Sequence, residues 1–332
     1  MNFLVGDIGG TNTRLLFAKM NGNTCEEFYE KSYSSRYYSN LIEVINDFLS
    51  DCNINHAIHS ACFAIAGPVE DETVAVTNLP WIISADQLKT DLNTPDIKLI
   101  NDFLAVASGI SELTDNDFIV LQKGKHNVST SYQDAAIIGA GTGLGAAHLV
   151  YSDNRYQSYS SETGHTGFAP ENAIQLELLT WMQKQHSHVS LEMLLSGKGL
   201  VNIYRFFHEV KGLKESFSVS DDMALIDPAQ VITDYALSGD DELCQTTLDC
   251  FIEIYGAAAG NVALNYYPVD VLYIAGGIAA KIKPKMIDSA FINAFVDKGL
   301  LSSNMRNITV KLITQDKVGL YGALAILKST YL

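Results

Sequence analysis

Asp102 stands directly after Asn101 at the end of the apolar run Leu99-Ile100. A carboxylate there can accept the proton of an attacking alcohol while the neighbouring amide fixes an adjacent oxygen. The same residues equally suit an Asp N-cap for a helix from Leu104. In Ser161-Glu162-Thr163-Gly164-His165, Glu162 and His165 lie three apart in a glycine loop, so both can turn toward one small polar ligand with paired hydroxyls, such as a sugar. One His and one Glu are too few ligands for zinc. A purely structural histidine is the other reading.

Three glycine turns have the composition of phosphate or nucleotide sites. In Gly6-Asp7-Ile8-Gly9-Gly10-Thr11-Asn12-Thr13-Arg14, the paired glycines Gly9 and Gly10 let backbone N–H groups approach phosphate oxygens, and Thr11 and Asn12 add side-chain donors. Asp7 can hold a magnesium ion through water. A plain hairpin turn is the alternative. Gly139 to Gly145 carries four glycines at alternate positions, so Gly141, Thr142 and Gly143 offer a bed of N–H donors. A branched side chain at Gly143 is expected to fill the space where that bed meets phosphate. A dinucleotide fingerprint would need a helix directly after the loop, but Ala146-Ala147-His148-Leu149-Val150-Tyr151 reads as strand. Tyr273-Ile274-Ala275-Gly276-Gly277 is a buried strand running into a turn against which an adenine or ribose could lie. The small run from Gly256 to Asn261 would let a helix pack close to it.

The elements that must position these residues follow from periodicity. Residues 3–8, 13–18 and 25–33 read as strands, and Ser39 as the N-cap of a helix through Phe48. Residues 61–66, 73–76 and 97–100 read as further strands, with a helix from Ser84. The same strand, glycine turn, strand layout begins again near Ala135. Helices are expected over 172–185, 190–207 and 238–266, strands over 271–275 and 308–313, and a last helix over 318–328. Residues 209–230 give no clear period. Two halves of this kind imply duplicated α/β domains with ligands where strands end at a crevice.

Composition narrows the partners. With 332 residues and 47% hydrophobic residues the chain can build a packed core. A formal net charge of -16 repels nucleic-acid phosphates but leaves room for ATP at a few local donors. The first residues show no basic leader or long apolar core, and no uncharged run is long enough for a bilayer. The five cysteines are scattered without Cys-x-x-Cys spacing, so reduced thiols and a cytoplasmic location are expected.

Taken in order, these segments resemble the ATP-binding fold of actin, heat-shock chaperones and hexokinases, and more closely the bacterial glucokinase family of the proteobacterial type. Further matching stretches are Ala66-Gly67-Pro68, Val76-Thr77-Asn78 with Trp81, Phe168-Ala169-Pro170, His188 to Glu192 and Leu195 to Leu200. The resemblance implies two actin/hexokinase-like (ribonuclease H-like) α/β domains flanking a cleft. The small one would span residues 1–111 with 315–332, and the large one, with dimerisation helices, residues 112–314. It implies a homodimeric ATP-dependent hexose kinase that phosphorylates the 6-hydroxyl of glucose, with magnesium and with Asp102 as base. The sugar would be held by Asn78, Asn101, Asp102, Glu162, His165 and Glu192, and the nucleotide by the three turns. A broader hexose specificity is the alternative within the family. Two departures stand out. Related repressor/kinase sugar kinases carry a cysteine-rich zinc motif after this loop, yet residues 166–181 contain no cysteine, and Thr163 replaces the family's usual glycine. A sugar-sensing repressor of the same fold would place a helix-turn-helix before the first strand, which is expected here at about Phe3.

Overall fold

Apolar residues run almost without a break through the first strands because both faces of their sheet are covered. The computed structural model describes residues 1–21, 24–52, 57–67, 69–77, 79–125, 134–152 and 155–331. It has a mixed α/β fold whose contacts divide into two compact units. One unit comprises Met1–Asp115, Asn154–Ser158 and Gln315–Leu332, and the other Asn116–Asp153 and Tyr159–Thr314.

The first unit is built on β1 (Asn2–Ile8), β2 (Asn12–Asn21), β3 (Thr24–Ser34), β4 (Ser60–Ile65) and β7 (Asp96–Asn101), in the order β3-β2-β1-β4-β7. β2 runs antiparallel to β1 and β3, whereas β4 is parallel to β1 and β7. A small hairpin, β5 (Thr73–Ala75) with β6 (Ile82–Ser84), stands beside it. Strand alternation sorts the core. Leu4, Ile8, Leu15, Phe17, Phe63 and Ile65 pack with Leu41, Val44, Ile45 and Phe48 of helix Leu41–Asp51. Phe3, Val5, Leu16, Ala18, Cys62 and Ala64 form a second core with Leu320, Ala323, Leu324 and Leu327 of helix Val318–Tyr331. Asp7 follows Phe3 and Val5 at period two, so it falls on the face that the terminal helix covers.

The six-stranded sheet comprises β8 (Phe118–Gln122), β9 (Ala135–Ala140), β10 (Leu144–Ser152), β11 (Arg155–Ser161), β12 (Val271–Ala275) and β13 (Thr309–Ile313), ordered β11-β10-β9-β12-β13-β8. β10 is antiparallel to β9, and β12 is parallel to both β9 and β13. The hairpin followed by parallel strands therefore recurs. Helices Ala173–Met182, Gly197–Glu209, Phe217–Met223, Pro228–Ser238 and Glu242–Asn265 lie between β11 and β12. Gly256 and Gly260 of the longest one meet the backbone of helix Ser289–Val296. The small run thus serves tight helix–helix packing.

Other expectations shift for local reasons. Asn40, not Ser39, caps the first helix by accepting the Glu43 N–H at 3.0 Å. Residues 190–207 are not one helix: the Leu191 N–H bonds to Thr166 O at 2.9 Å, and helix Gly197–Glu209 starts only at its cap, Ser196. β6, β8 and β11 carry no strict alternation and are additions to the sequence reading. No helix among the described residues is long and apolar enough to cross a membrane.

The terminal helix lies very close to helix Asp102–Gly109. A Cβ on Gly322 would overlap Ala105 O, and one on Gly109 would overlap Val318 O. Both overlaps are with backbone, which cannot swing away. Gly322→Ala is therefore expected to cost about 3 kcal/mol, the upper range for overpacking a core. Urea denaturation checks this, and a loss under ~1 kcal/mol would contradict the packing described.

Candidate active site

Asp102 is the first residue of helix Asp102–Gly109, but it is not the cap. Asn101 caps the helix, its Oδ1 accepting the N–H groups of Phe103 at 2.9 Å and Leu104 at 3.2 Å. Asn101 Nδ2 donates to Gly67 O at 3.3 Å, which leaves one amide hydrogen for a ligand. Asp102 keeps only local backbone contacts, the Phe103 N–H on Oδ1 at 2.8 Å and its own N–H. The capping alternative thus belongs to Asn101, and Asp102 Oδ2 is bonded to no described residue.

Burial, reinforced by the nearby charge of Asp7, pushes the Asp102 carboxyl up to about 6. Burial also raises Asp7, partly offset by the Arg14 guanidinium, its cross-strand neighbour. Arg14 is anchored by Asp316, which accepts from Nη1 through its carbonyl and from Nη2 through Oδ2, both at 3.0 Å. No described hydrogen bond ends on the Asp7 carboxylate. It faces the first turn of the terminal helix, where a Cβ on Gly319 would sit 3.0 Å from Oδ2. A hard oxygen donor with no competing described partner fits one carboxylate of a magnesium site. Among the described residues no group of three or more His, Cys, Asp or Glu could cage a metal. Magnesium is commonly held by one or two carboxylates with waters and substrate phosphates, so no such cage is needed.

The first glycine turn closes the β1–β2 hairpin, with Gly9 N–H donating to Asn12 O at 2.9 Å. Ser35, fully buried, braces it: its Oγ bonds Gly9 O at 2.9 Å and its N–H bonds Thr11 O at 2.9 Å. The N–H groups of Gly10 and Thr11 are bonded to no described residue and remain as donors. The second glycine turn closes with Gly141 N–H on Gly143 O at 2.8 Å, leaving the N–H groups of Thr142 and Gly143 free among the described residues. Space around it differs from expectation. A Cβ on Gly141 would point into the open, whereas one on Gly143 would lie 2.6 Å from Glu192 Oε2. The residue crowded by a side chain at Gly143 is therefore Glu192. β10 follows this turn and pairs antiparallel with β9, which excludes the dinucleotide fold.

At the third turn Gly276 has φ +92 and lies against Ala140 O, so only glycine fits there. Gly277 starts the short helix Gly277–Lys281 rather than a flat turn. Tyr255, fully buried, accepts the Ala140 N–H at 3.1 Å and donates to Ala275 O at 3.3 Å. One hydroxyl thus fixes the strand ends that carry the second and third turns. Glu162 and His165 are 86% and 65% exposed, with Oε2 and Nε2 3.8 Å apart, so both are accessible. Thr163 is not in the left-handed region, and its hydroxyl lies 2.7 Å from that of Ser161, so threonine is accommodated there without strain. Glu192 accepts the Leu144 N–H at 2.9 Å. Asn78 lies outside the described residues. Ser35 and Tyr255 escaped the sequence reading, since an isolated serine or tyrosine carries no motif.

The family model for glucokinase matches residues 4–330. The chain is 40% identical to the glucokinase of Trichormus variabilis over 96% of its own length and 97% of that protein. It is 37% identical to the glucokinase of Yersinia enterocolitica, covering 98% and 96%. The crystal structure of a glucokinase from an Antarctic psychrotroph superposes with a TM-score of 0.80 at 33% identity, covering 99% of both chains. The chain belongs to the glucokinase family. Its α/β architecture is that of this family's sugar kinases, and Asp102, Glu162, His165 and Glu192 lie in described segments of it.

The elevated carboxyl has a stability consequence. An unfolded Asp titrates near 3.8 and Asp102 near 6, so the folded protein binds more protons between those values. Stability therefore falls as pH rises from about 4 to about 6, and the cost, roughly 3 kcal/mol, is complete above that range. Asp102→Asn removes it. Without nucleotide and with a chelator present, the variant is expected to melt higher than the wild type at pH 7.5. The gain should be smaller at pH 5. Equal gains at both pH values would show that Asp102 is not elevated.

Proposed function

We propose that this protein transfers the terminal phosphoryl group of ATP to the 6-hydroxyl of glucose, giving glucose 6-phosphate. The observation that carries the reading is family membership over nearly the whole chain, joined to a carboxyl near 6 that no cap consumes. An acceptor of that kind suits a general base at neutral pH, being ionised yet still basic. Asp102 takes the proton of the 6-hydroxyl as that oxygen attacks phosphorus. Asn78, Asn101, Glu162, His165 and Glu192 hold the other hydroxyls and set the attacking oxygen in line. The free N–H groups at Gly10, Thr11, Thr142 and Gly143 support phosphate oxygens, with Gly9, Asn12 and Gly141 shaping the two loops. Gly277 leaves room on the adenosine side, and Gly276 sets the turn closely against Ala140. Asp7 would hold magnesium through water, and the ion supplies neutralisation of phosphate charge. Little covalent help is needed, because positioning and electrostatics dominate phosphoryl transfer.

In the same reading residues 1–111 with 315–332 are the small domain, and 112–314 the large domain, of a cleft-forming, hexokinase-like fold. The enzyme would work as a cytoplasmic homodimer. Its five free cysteines, buried or half-buried, suit a reducing compartment.

A coupled ADP-release assay over a hexose panel tests the reading, with glucose expected as a good substrate and chelation expected to abolish turnover. Activity that survives chelation would remove magnesium from the scheme. Asp102→Asn should lower kcat at least about a hundredfold, the lower range for losing a general base, while glucose affinity in calorimetry changes far less. Turnover within a few-fold of wild type would remove Asp102 as the base.

A further inference from the structure

Glu192 is assigned above to the sugar, yet in the structure its carboxylate is bonded to the second glycine turn. Oε2 accepts the N–H of Leu144, the residue that follows Gly143, at 2.9 Å. Oε1 is bonded to no described residue, so one oxygen holds the turn and the other remains for a hydroxyl. The other side of Leu144 is also engaged. Gly164, buried between Glu162 and His165, lies so close that any side chain there would overlap the Leu144 carbonyl. Leu144 is thus held at its N–H by Glu192 and abutted at its C=O by the loop that carries Glu162 and His165.

The segment bearing Glu192 is tied in both directions. Toward the sugar loop, His188 Nε2 donates to His165 O at 2.9 Å, Phe168 N–H to Val189 O at 2.9 Å and Leu191 N–H to Thr166 O at 2.9 Å. Toward the glycine turn, Gly197 N–H donates to Gly141 O at 3.0 Å. Residues 188–197 therefore span from one candidate subsite to the other by one side-chain and three backbone hydrogen bonds, all within one compact unit.

We infer that Glu192 is a positioning residue that couples sugar occupancy to the shape of the Gly141–Gly143 phosphate turn through the N–H of Leu144. The inference rests on the glucokinase reading above and adds a link inside the large unit. A hydroxyl on Oε1 orients the carboxylate, the carboxylate fixes Leu144, and the free N–H groups of Thr142 and Gly143 are thereby set for phosphate. By reciprocity, a nucleotide that orders the turn must strengthen sugar binding by the same factor.

Calorimetry separates this coupling from activity. The affinity of a non-hydrolysable ATP analogue is measured with and without saturating glucose, and the ratio gives the coupling factor, typically about 5- to 150-fold where coupling exists. Wild type is expected to show such a factor, and Glu192→Ala a factor near one. Glu192→Gln, which can keep an oxygen on the Leu144 N–H, should retain most of it. Gly143→Ala gives an independent arm: its Cβ would stand 2.6 Å from Glu192 Oε2 and displace the carboxylate. A substitution inside the phosphate turn is thus expected to weaken glucose binding several-fold in the absence of nucleotide. A factor near one in wild type, an unchanged factor in Glu192→Ala, or unchanged glucose affinity in Gly143→Ala would each overturn the inference. The glucokinase reading fails separately, if wild type releases no ADP with glucose.

Discussion

The first unit holds two carboxylates, Asp7 of β1 and Asp102 at the start of a helix, near one another and largely out of water. Burial raises the proton affinity of both, the charge of Asp7 raises that of Asp102 further, and the nearby cation, Arg14, is already shared with Asp316 and Glu30. Such a pair is unfavourable in the free protein. It persists because strand period places Asp7 beneath the terminal helix, while the Asn101 cap fixes the start of the Asp102 helix. Glycines at 109 and 322 let those helices approach without intervening side chains. A positively charged ligand or a phosphate-bound cation would relieve the repulsion, so the stored cost favours the occupied site.

In the proposed function phosphate is met mainly by backbone donors rather than by many cations, in keeping with a chain of net charge -16. Each hairpin turn leaves two backbone N–H groups without a described partner, while one internal bond and bonds from outside residues hold its shape. Backbone dipoles held this way need little reorganisation when a phosphate arrives. Two buried side-chain hydroxyls do the bracing, Ser35 under the first turn and Tyr255 between the second and third. The recurrence of strand order in the two sheets explains why the same solution appears twice.

In the second unit the segment proposed for the sugar is tied to the second glycine turn through residues 188–197 and through the Glu192 carboxylate on Leu144. This gives the exposed loop with Glu162 and His165 a rigid support that its own short 3₁₀ turn, residues 163–165, could not supply. It also explains why residues 190–196 do not continue the following helix. Leu191 donates across to Thr166 and Gly197 to Gly141, while Met193, Leu194 and Leu195 fold back onto Ser190 and Leu191 in a short 3₁₀ turn that ends before the Ser196 cap.

The sequence by itself determined the strand–glycine–strand repeats, the acidic overall balance, the candidate Asp, Glu, His and glycine positions and the family they resemble. Those features are local: period two in β1 and β9, paired glycines at turns, a carboxylate after an apolar run. Tertiary structure alone decided which neighbour each residue serves. Asn101 rather than Asp102 caps the helix, Gly143 makes space for Glu192, and the Gly256–Gly260 stripe packs on helix Ser289–Val296. Serine and tyrosine at positions 35 and 255 gained roles no motif announces. The reason is physical: spacing along the chain fixes which face a side chain takes, but the donor it bonds and the charge it feels come from residues brought near only by folding. A carboxyl near 6 at Asp102 is the clearest case, since burial and Asp7, ninety-five positions away in sequence, together set it.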